Sequence, residues 1–425
     1  EVPDEKFKNR AEGKSSLQIL GGHELEEMNG SAPGVPGEVR VTYWPEGKRG
    51  AVVESPWEEV EPMADYCHQI LLSELAAGTS YKLEVAGRAP GGNQSSVTLV
   101  GGFNTAPAED VAAPVRFTVV TGQSYWRRDD PENGHRIYPR MLALEPDFFV
   151  HTGDIEYYDS ARPWAVNAEL ARYKWNRLYA LPFQRDFHRQ VASYFEKDDH
   201  DTTKNDSWPG QDYGDLTWEE GLAIFREQFP MGEKTYRTYR WGKDLQVWFV
   251  EGRDFRSPNN MPDGPEKTIW GAEQKQWFFR TVEASDATFR VLLSPTPIVG
   301  PDRVKKNDNH ANRGFTHEGN ELRAFIGSQS NMFVVCGDRH WQYVSVDPVS
   351  GTREYSCGPT SEEHAGGFSQ KYRSEMHRYL NVVGGFLEVA VDREGGNPRI
   401  AFRHHGVDGA VLNEEAHRAS RAGNQ

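Results

Sequence analysis

The chain has 425 residues, 37% of them hydrophobic, with 12 Trp, 17 Tyr and a formal net charge of −15. That is enough length for one large domain with a small one, or for two medium ones, and enough apolar and aromatic content to exclude a disordered chain. The acidity argues against a stable nucleic-acid partner or an anionic-membrane binder, because there is no basic footprint to meet phosphates, and no apolar run reaches the length of a membrane span.

The sequence starts at Glu1 rather than Met. From this we expect a processed protein, secreted or periplasmic, whose signal segment has been removed. Cys67, Cys336 and Cys357 are too few for a disulfide framework. We expect buried thiols, with a Cys336–Cys357 bridge left open.

Residues 1–37 are polar and aperiodic, with at most one strand over residues 16–20. From Glu38, the alternation of Val39, Val41 and Tyr43 with polar residues predicts a half-buried strand. Further strands are expected over residues 69–72, 81–86 and 96–103. Short turn-rich spacing between them suggests a small β-sandwich, closing near residue 110 at an Ala/Pro-rich linker. Within it, Leu75-Ala76-Ala77-Gly78-Thr79-Ser80-Tyr81 resembles the tyrosine-corner segment of fibronectin type III-like domains.

The remainder, residues 111–425, alternates strand and helix. Strands are expected over residues 115–121, 148–150, 245–250, 289–293 and 332–335. Helical stretches are expected around residues 135–144, 164–190, 222–229 and 320–326, with another starting near Glu273. A closing hairpin spans residues 386–391 and 398–404. Strand–helix–strand order implies a parallel sheet.

Three acidic clusters fall where strands end: Gly153-Asp154, Asp198-Asp199-His200-Asp201 and Gly337-Asp338-Arg339-His340. Open α/β folds place ligands at the carboxyl ends of their strands. Carboxylate oxygens suit hard cations and imidazole suits intermediate metals. Ligands drawn from several strand ends can hold two metals about 3.5–4 Å apart, which activate water for an in-line displacement. His310, in the polar stretch Asn307-Asp308-Asn309-His310, is a candidate for the cleft wall. No Gly-x-Ser-x-Gly elbow, P-loop or Cys-x-x-Cys is present.

These clusters, with Asn205-Asp206 after the second and the supporting segments Arg253-Asp254-Phe255-Arg256-Ser257 and 271–277, resemble the PhoD-like alkaline phosphatases of the metallophosphoesterase superfamily. The resemblance implies a two-sheet α/β sandwich preceded by a small fibronectin-like all-β domain. It implies that Asp154 bridges two metals, with Tyr157, Asp199, Asp338 and His340 as further ligands. His200 and Asp199 become the catalytic candidates, with His200 beside the substrate. Gln123, Asn205, Arg253 and His310 are the substrate-side candidates. The implied reaction is hydrolysis of phosphoric mono- or diesters by metal-activated water, with His200 protonating the leaving oxygen.

One departure stands out. Where such enzymes often carry Ser-Cys-Gln, with the Cys ligating iron, this chain has Thr121-Gly122-Gln123. Without that thiolate the site is expected to favour Ca, Mn or Zn over iron, to hold one or two metals, and to leave the corner at Gly122 open. The sequence is also compatible with two alternatives. The scaffold could act on another ester or a carbohydrate derivative, with the aromatic stretch 164–194 shaping a cleft. Or the chain could be a non-catalytic glycan- or partner-binding protein.

Overall fold

The structure, a computed structural model, describes residues 14–160, 162–311 and 313–419. Strands β1 (Gly37–Pro45), β2 (Val53–Glu54), β3 (Glu58–Val60), β4 (Ser80–Arg88) and β5 (Val97–Asn104) form one antiparallel sheet. Its order is β2-β1-β4-β5, and β3 shares the β1 edge with β2. The strand expected over residues 69–72 does not form. Both edges of β1 are taken, by β2 and β3 on one side and β4 on the other, and this segment lies against the face of the sheet. Ile70, Leu72 and Leu75 pack on Val41, Tyr43 and Tyr81. Among the described residues, one antiparallel sheet with an apolar strap makes this region all-β.

The tyrosine corner forms: the Ala76 amide donates to the Tyr81 hydroxyl at 2.9 Å. The strand expected over residues 16–20 is a short helix, Ser16–Ile19. The reason is a capping box, in which Ser15 and Gln18 each accept from the other's amide.

Beyond residue 114 two sheets pack face to face. The first has the order β18-β17-β16-β6-β7-β8, from β6 (Val115–Val120), β7 (Phe148–His151), β8 (Ala192–Phe195), β16 (Phe386–Glu394), β17 (Asn397–His405) and β18 (Val411–Arg418). The second has the order β15-β13-β14-β12-β11-β10-β9, from β9 (Arg237–Trp241), β10 (Leu245–Phe249), β11 (Phe289–Ser294), β12 (Met332–Cys336), β13 (Gln342–Val346), β14 (Arg353–Cys357) and β15 (His377–Asn381). Neighbours β6, β7 and β8 run parallel, as do β10, β11, β12 and β14.

Side-chain alternation decides the layers. Phe117, Val119, Phe148 and Val150 meet Val247, Phe249, Val291 and Leu293 between the sheets. On the outer face of the first sheet, Val120 and Phe149 pack against helices Ile137–Leu142, Ala168–Tyr179, Pro182–His188 and Trp218–Gln228. Trp248, Leu292 and Val334, on the other outer face, pack against Gly271–Glu283 and Thr316–Ser328. The expected helix over residues 164–190 is two, because Pro182 starts a new one. Cys336 and Cys357 are both buried and unbridged. Among the described residues, no helix is long and apolar enough to cross a membrane.

Replacing Tyr81 by Phe keeps the ring packing and removes the corner bond. Tyr81→Phe should lower stability by about 1 kcal/mol, read from the urea unfolding midpoint; an unchanged midpoint would show that the corner contributes nothing.

Candidate metal centre

The carboxyl ends of parallel strands from both sheets converge on one patch. β7 runs through Thr152 and Gly153 to Asp154, β8 leads to residues 198–201, and β12 leads to Asp338. Gly153 has φ +101°, and a Cβ there would lie 2.7 Å from both the Asp198 amide nitrogen and its Cβ. Only glycine allows these two strand ends to approach so closely. Asp154 and Asp338 themselves sit at positive φ, 56° and 60°. Such backbone strain persists only where the surroundings impose it.

Asp201 imposes part of it. One of its oxygens accepts from the Ile155 and Glu156 amides at 2.7 and 2.9 Å, and the other from the Asp198 amide at 3.0 Å. This buried carboxylate therefore ties the Asp154 loop to the Asp198 loop. Behind the first loop, the buried Glu156 meets Lys174 and Arg177 of helix Ala168–Tyr179 at 3.5 and 3.6 Å. Lys174 also donates to the Tyr157 carbonyl.

Donor atoms of Asp154, Asp199 and His200 lie within 4.8 Å of one another, and so do those of Asp154, Asp198 and Asp338. Asp154 is common to both groups. Its Oδ2 is 3.3 Å from His340 Nε2, which is 3.0 Å from the Tyr157 hydroxyl. Asp154 Oδ1 and Asp198 Oδ2 are buried and have no hydrogen-bond partner. Orphaned carboxylate oxygens, gathered without enough positive charge, are what a divalent cation coordinated at about 2.0–2.6 Å would satisfy. The residues present fit metal ions.

The protonation pattern points the same way. Burial, and then the charge of Asp199, push Asp154 well above the usual carboxylate range. Burial would raise Asp199 too, but Arg253 and His200 hold it below its ordinary value. His200 Nδ1 is 2.6 Å from Asp159 Oδ1. Burial opposes its charge, yet Asp159 and Asp199 keep the ring protonated well above the ordinary histidine range. Burial drives His340 the opposite way, well below it.

Asp154, Tyr157, Asp199, His200, Asp338 and His340 are thus brought together. The substrate-side candidates lie around this cluster in different ways. Arg253 is fully buried and donates from Nε to Asp198 at 2.5 Å, so it braces a carboxylate. Gln123 is buried, accepts from the Tyr138 hydroxyl at 2.5 Å, and donates its backbone N–H to the Asp154 carbonyl at 2.6 Å. Asn205 is exposed, and its backbone N–H donates to Asp159 Oδ2 at 2.7 Å. His310 does not line the cleft: it is fully buried, 2.9 Å from Glu318.

The corner at Gly122 is not open either. A Cβ there would lie 2.8 Å from His340 Cδ2 and 3.0 Å from Nε2, so the imidazole already fills that space. The aromatic stretch 164–194 is spent on packing: Trp164 and Trp175 are buried in the helical layer. This removes the basis for a carbohydrate cleft there.

Sequence reasoning passed over four residues. Asp198 was hidden by its neighbour Asp199. Asp159 was legible only as an acid five residues beyond Asp154. Arg127 and His364 carried no motif signal. The His364 ring is 4.1 Å from that of His340 and 5.2 Å from that of Tyr157.

Residues 117–382, more than half of the chain, match the family model for PhoD-like phosphatases. The chain belongs to the PhoD-like phosphatase family. The fold is similar to a solved structure of PhoD, at 16% identity over 92% of this chain and 85% of that one, with a TM-score of 0.75. It is also similar to purple acid phosphatase PPD1 from yellow lupin (Lupinus luteus) seeds, at 13% identity over 91% and 70% of the two chains, with a TM-score of 0.64. None of the curated proteins matches the sequence. With its family and its carboxylate-rich centre, this PhoD-like phosphatase is a metal-dependent hydrolase of phosphoric esters.

The reassignment of His310 is testable through Glu318. Burial alone would raise this carboxyl. Hydrogen bonds from His310, Thr268 and the Ile269 amide hold it at about 2 instead. An unfolded Glu titrates near about 4.3. The group therefore stabilises the fold fully above that value and loses its contribution as pH falls toward about 2. Glu318→Gln should be less stable than wild type by about 1–3 kcal/mol at pH 7. The gap in urea midpoints should narrow between pH 4.5 and pH 3; a gap independent of pH would contradict the assignment.

Proposed function

We propose that this PhoD-like phosphatase hydrolyses small-molecule phosphoric esters with two divalent cations held on either side of Asp154. The observation that carries the reading is the membership of Asp154 in both donor groups. Asp154, Asp198 and Asp338 would hold one cation, and Asp154 with Asp199 would hold the other, with His340 and Tyr157 beside Asp154 as further donors. The donors are oxygens and imidazoles, with glycine rather than a thiolate at position 122, which favours Mn, Zn or Ca over iron. Cations bound there supply an activated water and positive charge to the phosphoryl oxygens.

The residues around them divide the remaining work. Asp201 fixes the separation of the two loops that carry the donors, and Arg253 fixes Asp198 against them. Asp159 engages His200 Nδ1, which leaves Nε2 to face the reacting group. His200 then holds a proton at Nε2 for the departing alkoxide. The Tyr157 ring, centred 4.3 Å from that of His200, limits its tilt.

Hydrolysis of aryl phosphate mono- and diesters should be abolished by dialysis against chelator and restored by Mn, Zn or Ca. His200→Ala should retain its metals and lose about 10²–10⁴-fold in rate, with the larger loss on phenyl phosphate than on p-nitrophenyl phosphate. An equal loss on both would mean that His200 does not serve the leaving group.

A further inference from the structure

Next to the centre, on the side of Tyr157 and His364, lies an open cavity of about 400 Å³ that the ester chemistry described above does not use. Its size is that of a pocket for an organic body rather than for a phosphoryl group alone. Arg127 and Arg162 both line it. Among the described residues neither guanidinium forms an ion pair, in a chain where acidic side chains outnumber basic ones by 63 to 48. In such a chain, two arginines left unmatched in one concavity mark a place where negative charge arrives from outside.

Both positions are built. The Arg162 carbonyl accepts from Trp126 Nε1 at 2.5 Å and from Arg177 Nη1 at 3.4 Å. Arg177 is itself buried, with its guanidinium 4.4 Å from the Tyr125 ring centre. The Arg162 side chain stacks over Trp164 at 5.1 Å. The Arg127 charge is close enough to bear on Tyr157, His340 and His364. Trp126, 51% exposed, lines the same cavity and adds an apolar surface beside the two cations. The cavity shares Tyr157 with the His200 side of the centre, which is where the alcohol portion of an ester leaves.

We propose that this cavity is a subsite for a second anionic group, carboxylate or phosphate, carried on the alcohol portion of the ester and bound by Arg127 and Arg162. The substrates it selects are phosphoric esters of acidic alcohols of ring or sugar size. The inference rests on the phosphoester reading of the neighbouring centre. A guanidinium offers paired donors to a carboxylate or phosphate, so the preference is for a planar or tetrahedral oxyanion rather than for charge alone. Because the two side chains are exposed, added salt weakens the preference.

The test is calorimetric titration of the metal-loaded protein at low ionic strength with phenylphosphonate and with 3- and 4-carboxyphenylphosphonate, which cannot be hydrolysed. Wild type should bind one of the carboxylated probes about tenfold more tightly than phenylphosphonate, equivalent to one charged contact of about 1.4 kcal/mol. Arg162→Gln should bring that preference within about twofold and leave phenylphosphonate binding unchanged. Equal binding of all three probes by wild type, or a preference that survives both Arg162→Gln and Arg127→Gln, would overturn the subsite. Turnover of p-nitrophenyl phosphate, measured on the same samples, separates the two claims. Turnover without discrimination refutes the subsite alone, whereas no turnover and no phosphonate binding refute both it and the ester reading.

Discussion

Buried like charge is the constraint on which this protein depends. Asp154, Asp198 and Asp199 all lie at the meeting point of the two sheets with at most 3% of their surface exposed, and Asp338 joins them. Carboxylates so close in a low-dielectric setting repel one another and resist ionisation. The chain supplies part of the balance from behind: Arg253 lies against Asp198 and Asp199, and Arg339 pairs with Asp338 and Asp302. His200 offsets part of the Asp154 charge, but Asp154 Oδ1 has no hydrogen-bond partner, and a bound cation would satisfy it.

The sandwich exists to impose this arrangement. Two apolar inner faces, led by Phe117, Phe148, Val247 and Val291, fix the sheets against each other and so bring the strand ends of both to one line. Gly153 permits the close approach, Asp201 ties the loops, and the Glu156–Lys174–Arg177 group anchors the Asp154 loop to the helical layer. None of these touches a reacting group, yet each keeps the carboxylates where repulsion would otherwise part them. Helix Ala168–Tyr179 serves twice, since Arg177 also steadies the Trp126–Arg162 wall of the neighbouring cavity.

What the sequence made legible was whatever depends on short-range pattern. Apolar runs ending in Gly-Asp marked β7 and β12 and placed Asp154 and Asp338 correctly at strand ends, because strand termination and ligand presentation occur within a few residues. Residues 69–72 looked like a strand because a short apolar run reports burial and not a hydrogen-bond partner; Ile70 and Leu72 are instead packed on the face of the sheet. His310 looked like a cleft residue because its neighbours are polar, but its partner Glu318 is on the next helix. His364 was invisible for the opposite reason: it sits in a short 3-10 turn after β14, and only the packing of two sheets carries it to His340. The filled corner at Gly122 could not be read at all, since the group that fills it lies more than two hundred residues away.

The central claim is that one carboxylate organises both cation positions, and calorimetric titration of Mn or Zn into metal-free wild type and Asp154→Asn tests it most directly. The account predicts two binding events per chain in wild type and the loss of both in the variant, with the fold intact by circular dichroism. One metal still bound at wild-type affinity in Asp154→Asn would contradict it.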